Sequence, residues 1–114
     1  MISSFTGTIT KVQINGVQVY PGTQKMELEP NKAMTIQADY RVTPYGEIGL
    51  LDYWTAAITA KIGGQFGWDK TSHRGSGEKT ASPQIGNLKS PASASTLTIK
   101  LWAIDAVNPS APSG

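Results

Sequence analysis

The sequence has no cysteine. That absence removes disulfides, thiolate nucleophiles and cysteine-ligated zinc together. It does not fix the compartment, because many extracellular domains also lack disulfides. Charged residues are sparse, and the formal net charge is only +2. No run of lysines or arginines occurs, so the linear sequence carries no electrostatic footprint for nucleic acid. No apolar stretch approaches the roughly 20 residues of a membrane span. The opening MISSFTGTIT lacks a charged segment followed by an apolar core, so it is not read as a signal peptide. Phosphate-cradling glycine motifs, calcium-type loops and metal-ligand spacings are missing as well. The expectation is therefore a protein without cofactor or metal, and without a nucleic-acid or membrane partner.

What is present is a chain of 114 residues, a length that suits one domain with one real core. Threonine, serine, glycine and proline are plentiful, the usage of short strands joined by turns. The organising stretch is Tyr53 to Ile62, YWTAAITAKI. Trp54, Ala56, Ile58, Ala60 and Ile62 alternate with Tyr53, Thr55, Ala57, Thr59 and Lys61. A period of two predicts a strand with one buried and one mostly water-tolerant face. Leu51, Trp54, Ile58 and Ile62 also fall at helical spacing. The turn-rich segment from Pro44 to Gly49 and the Gly63-Gly64 pair would break such a helix on both sides.

Other elements follow in chain order. KVQI and VQVY flank Asn15-Gly16, the dipeptide of a two-residue type I′ hairpin, which sets Ile14 opposite Val17 and Val12 opposite Val19. Phe5, Gly7 and Ile9 have the opposite parity to Val12 and Ile14, so a bulge is expected near Thr10-Lys11. Gln24 to Glu29 is expected to pair with Met34 to Val42 through the turn at Pro30-Asn31-Lys32. Thr43 to Asp52 reads as a loop, with Leu50 and Leu51 under the edge of the core. Gln65 to Asp69 reads as a short strand carrying Phe66 and Trp68. Lys70 to Pro83 reads as a mobile loop with a short strand at Glu78 to Ala81, and Ile85 and Leu88 anchor the next connection. Ala94 to Asp105 reads as the last strand. Leu97, Ile99, Leu101 and Ala103 face inward there, and Trp102 and Ile104 lie on the outer face. The expected architecture is an all-β, immunoglobulin-like sandwich of about seven or eight strands, with residues 1–106 as one domain and 107–114 as a C-terminal tail.

Catalytic chemistry finds little support. His73 sits beside Ser72 and Arg74, but a triad needs converging side chains and an orienting carboxylate, so His73 is read as an exposed loop residue. No pair of carboxylates is placed across a cleft as glycosidase chemistry requires. Glu27 and Glu29 read as a solvated strand face that discourages edge pairing. Aromatic residues carry more promise, since tryptophan and tyrosine stack on sugars and anchor protein interfaces. Trp54 is assigned to the core. The candidate ligand- or partner-binding residues are Trp68, Trp102, Tyr45, His73 and Arg74.

Three segments, GTQKMELEPNKAMTIQADYRV, YWTAAITAKI and STLTIKLWAID, resemble the immunoglobulin-like sandwiches of the CARDB type, cell-adhesion-related modules of archaea and bacteria. Similar sandwiches occur in phage capsid decoration and tail proteins. The resemblance implies a non-enzymatic structural or interaction module, on a virion or a cell surface. Its partners would be another protein or a second copy of the chain. A carbohydrate-binding module using exposed tryptophans is the alternative, and a small β-rich hydrolase the remote one.

Overall fold

In the computed structural model the described residues are 4–22, 25–45 and 52–104, with the side chains of Ser4 and Ile104 set aside. They form eight strands: β1 (Ser4–Ile14), β2 (Val17–Tyr20), β3 (Ala33–Tyr45), β4 (Tyr53–Ile62), β5 (Gln65–Arg74), β6 (Lys79–Ala81), β7 (Gln84–Lys89) and β8 (Thr98–Ile104). Two antiparallel sheets result. The larger runs β2-β1-β3-β6, with β7 also paired to β3, and the smaller runs β5-β4-β8. They pack as an all-β sandwich, and the core lies between them.

Local chemistry explains the ladders. Asn15 and Gly16 take φ of 50° and 82°, the left-handed pair that a type I′ turn needs. Ile14 meets Val17 as expected, but a bulge after Val12 sets Val12 against Tyr20 rather than Val19. A second irregularity between Ile9 and Lys11 falls where the parity change requires it. It lets Ile9, Val12 and Ile14 all contribute to the core.

The alternation of Met34 to Val42 holds, and each of Met34, Ile36, Ala38, Tyr40 and Val42 is buried. The strand is longer than expected. Thr43, Pro44 and Tyr45 continue β3 and pair with Thr6, Phe5 and Ser4, so they are not loop. The expected loop residues 46–51, Leu50 and Leu51 among them, lie outside the described residues, as does the tail from 105 onward. Residues 25–29 form no ladder with β3. β3 has both edges occupied already, by β1 on one side and by β6 and β7 on the other. Their alternation survives without pairing, and Met26 and Leu28 pack against the core. Ser90 holds this segment instead: its hydroxyl donates to Glu29 O and its amide to Lys32 O, while Asn31 N donates to Ser90 O.

β5 is twice the expected length, because Lys70 to Arg74 continue the strand against β4. The short strand near Glu78 appears as β6. Ile85 and Leu88 are buried anchors as expected, on a strand, β7, that their spacing had not announced. The last strand begins at Thr98 rather than Ala94. Trp54 is 1 % exposed and fills the space between the sheets, and its Nε1 donates to Gly75 O at 2.9 Å.

Candidate binding face

The geometry of the smaller sheet follows from one turn. Gly63 and Gly64 adopt φ of 53° and 80°, closing β4 onto β5 with Ile62 opposite Gln65. A two-residue turn fixes the register of everything beyond it. Gly67 then faces inward, where an added Cβ would lie 2.5 Å from Ile85 Cγ2. By alternation Phe66, Trp68, Lys70, Ser72 and Arg74 face outward. β8 adds Thr98, Lys100 and Trp102 to the same outer face, through its pairing with the other edge of β4.

Rows across the sheet show the pattern. One row reads Trp68, Thr59, Lys100, and the next reads Lys70, Ala57, Trp102. Rings and cations therefore occupy opposite corners of a checkerboard, with small residues down the middle. From strand spacing and rise the two tryptophan Cα atoms are about 12 Å apart. Trp102 Nε1 donates to Thr59 Oγ1 at 2.8 Å, which draws the indole across the central strand. The outer side chains of β4 were expected to be water-tolerant. Instead Thr55, Ala57 and Thr59 are at most 2 % exposed, because the long chains of β5 and β8 roof over them. Farther along the face the Arg74 guanidinium lies 4.3 Å from the centre of the Tyr53 ring. Lys100 Nζ lies 5.7 Å from that of Trp102. Tyr53 and Phe66 are exposed.

The electrostatics are one-sided. Lys61, Lys70, Arg74 and Lys100 lie on this face, and its strand positions hold no aspartate or glutamate. The chain totals +2, so four positive charges here leave −2 for the remainder. A basic patch thus exists although no basic run does: the cations come from three strands and meet only through pairing.

Of the five residues singled out from sequence, Trp68, Trp102 and Arg74 share this face. Tyr45 lies on the larger sheet, exposed, with its hydroxyl bonded to that of Thr6. His73 occupies the opposite face of β5. It is not an exposed loop residue: β5 carries it inward, half-buried, with Nε2 at 2.6 Å from Tyr40 Oη and its ring 4.7 Å from that of Trp54. Burial, with the Lys79 charge nearby, lowers the His73 pKa and keeps the ring neutral. Burial raises the Tyr40 pKa, against a bond from Thr71 and with the Asp69 charge adding to the rise. Around the imidazole stand a phenol, an indole and a cation, with Asp69 near enough to act on Tyr40, and the Tyr40–His73 bond ties the two sheets together. Sequence reasoning pointed to Phe66 to Ser76, read as a loop, and to the Trp102 face, but singled out none of Phe66, Lys61, Lys70 or Lys100 as a binding residue. The Gly63-Gly64 hairpin was the signal that would have placed the first three.

A groove of about 1570 Å³ runs along β8 and the first hairpin, with Ile9, Val19, Met26, Leu28 and Leu97 among its walls. It is larger and more open than a typical small-molecule site of roughly 300–1,000 Å³. Its charged lining mixes Lys25 and Lys100 with Glu27, and its Lys100–Trp102 end meets the outer face of the smaller sheet. Among the described residues no group of acidic or histidine side chains could hold a metal ion. Comparison with protein-family models, curated proteins and solved structures finds no match for this chain.

Proposed function

We propose that the protein is a non-catalytic interaction module that engages an anionic partner through the outer face of its smaller sheet. The observation that carries this reading is the checkerboard of Trp68, Lys70, Lys100 and Trp102 on a face whose described strand positions hold no carboxylate. Trp68 and Trp102 are half-buried, Phe66 and Tyr53 on the same face are exposed, and contiguous apolar surface of this kind marks interaction sites. Cations interleaved with them select the sign of the partner and steer its approach. Such a face on an immunoglobulin-like sandwich suits a structural module on a virion or cell surface, the role implied by the resemblance to adhesion modules and phage decoration proteins.

The test is retention on immobilised polyanions against immobilised polylysine, for the wild type and for Trp68→Ala/Trp102→Ala. Retention on polyanions alone, lost in the double variant while its circular dichroism remains that of the folded sandwich, is the expected result. Equal retention of both proteins removes the face from the mechanism. A broad hydrolase panel completes the test, since turnover abolished by His73→Ala would overturn the non-catalytic reading.

A second reading has its own support. Trp102 is held across the sheet by Thr59, and a ring lying along a sheet is the platform that carbohydrate-binding modules present to sugars. Tryptophan fluorescence titrated with neutral glycans tests it, and no shift with any glycan removes it.

A further inference from the structure

We infer that the partner of this face is single-stranded nucleic acid, bound without base-sequence preference; the inference rests on the reading above and names its ligand. A single strand presents two things in alternation, a phosphate and a flat unpaired base. The face presents their complements in alternation: Lys70 and Lys100 at one pair of corners, Trp68 and Trp102 at the other. Base stacking on aromatic side chains tolerates any base, because every base has a π face, and a positive surface tracks the backbone.

What the face lacks narrows the choice. Its strand positions hold no Asn, Gln, Asp or Glu. Thr55 and Thr59 are buried, and the Thr59 hydroxyl already accepts from Trp102. Few groups remain to read an array of sugar hydroxyls, or the edges of particular bases. Stacking and charge need no such groups. A duplex keeps its bases stacked on one another and would leave the indoles idle. A second copy docked face to face would gather the four cations of each copy at one interface whose strand positions supply no carboxylate to neutralise them. A neutral glycan would leave the cations without a role.

The experiment is fluorescence anisotropy of a labelled short oligothymidine, titrated with the intact chain over a range of salt. With four cations engaged, the slope of log K against log salt is about −0.7 × 4, or roughly −3, so affinity drops about 50-fold between about 50 and 200 mM salt. Trp68→Ala and Trp102→Ala each weaken binding by about 5- to 150-fold. Trp102→Phe, which keeps a ring and guards against a folding artefact, keeps most of the affinity. Lys70→Gln lowers the slope by about 0.7.

Any of several results overturns the inference: no binding at low salt, binding indifferent to Trp68→Ala, or a duplex or heparin bound as tightly as oligothymidine. Heparin binding that ignores the tryptophans would make the partner an acidic polysaccharide. Tryptophan-dependent retention on other polyanions, with no oligothymidine binding, would leave the face reading intact and remove the nucleic acid.

Discussion

Replacing Gly67 by alanine places a methyl group between β5 and β7. The new Cβ would lie 2.5 Å from Ile85 Cγ2 and 3.4 Å from Leu88 Cδ2. Carbon atoms in contact prefer about 3.5–4.0 Å, so roughly 1 Å or more must be relieved at Ile85. Ile85 is 2 % exposed and backs onto the core, so it cannot retreat into solvent. Overpacking of this kind costs about 1–3 kcal/mol. Alanine recovers about 0.5–1 kcal/mol because it has less backbone freedom to lose than glycine in a strand. The net expectation is a loss centred on about 1 kcal/mol and at most about 2.5 kcal/mol. Equilibrium urea unfolding, followed by tryptophan fluorescence, reads this as a lower midpoint at unchanged slope. Ile85→Ala on its own destabilises by leaving a cavity. Combined with Gly67→Ala it should cost less than the two single losses added, by about 1 kcal/mol, because the methyl enters the vacated space. A Gly67→Ala protein as stable as the wild type, or strict additivity in the double variant, would refute the claim that Gly67 sets the spacing between β5 and β7.

Two further outcomes follow from the inter-sheet cluster. His73 titrates below the free value of 6.5 in the folded protein, through burial and the Lys79 charge, so the unfolded chain takes up its proton first as pH falls. The stability advantage of wild type over His73→Gln should be complete above about pH 6.5 and shrink as pH drops from there toward the folded pKa. Urea titrations of both proteins at two pH values measure it, and a difference independent of pH would count against the buried neutral ring. Trp54→Phe removes the donor to the buried Gly75 carbonyl and leaves a void beside His73. The expected loss is about 2–4 kcal/mol by thermal or chemical unfolding, and a loss under about 1 kcal/mol would show that indole and carbonyl are not the anchor described.

How much was legible in the sequence depends on what each residue must meet. Tyr53–Ile62 and Met34–Val42 were readable because their alternation is local and each strand presents an apolar face to one core. Asn15-Gly16 was readable because its backbone conformation is nearly dictated by residue type. The bulge near Thr10 was readable as a parity conflict. Residues 25–29 misled because alternation reports burial, not pairing: Met26 and Leu28 pack inward while β3 has no free edge. Lys70 to Arg74 misled for the opposite reason. They are polar on both faces, since β5 is an edge strand, and a polar edge looks like a loop. His73 inherited that error. The binding face was the hardest to see, because its rings and cations are far apart in sequence and become neighbours only through two registers.

Ser90 ties down a turn made some 58 residues earlier in the chain. β4, likewise, receives its second neighbour only when β8 arrives. During synthesis, then, the first hairpin and its pairing with β3 can form early, while the smaller sheet and the Glu29–Lys32 turn must wait for nearly the whole described chain. The tryptophans of the proposed face would emerge at different times, Trp68 well before Trp102, and the half-built face would stay sticky in between. Chains stalled or cut before β8 should therefore be the ones that aggregate.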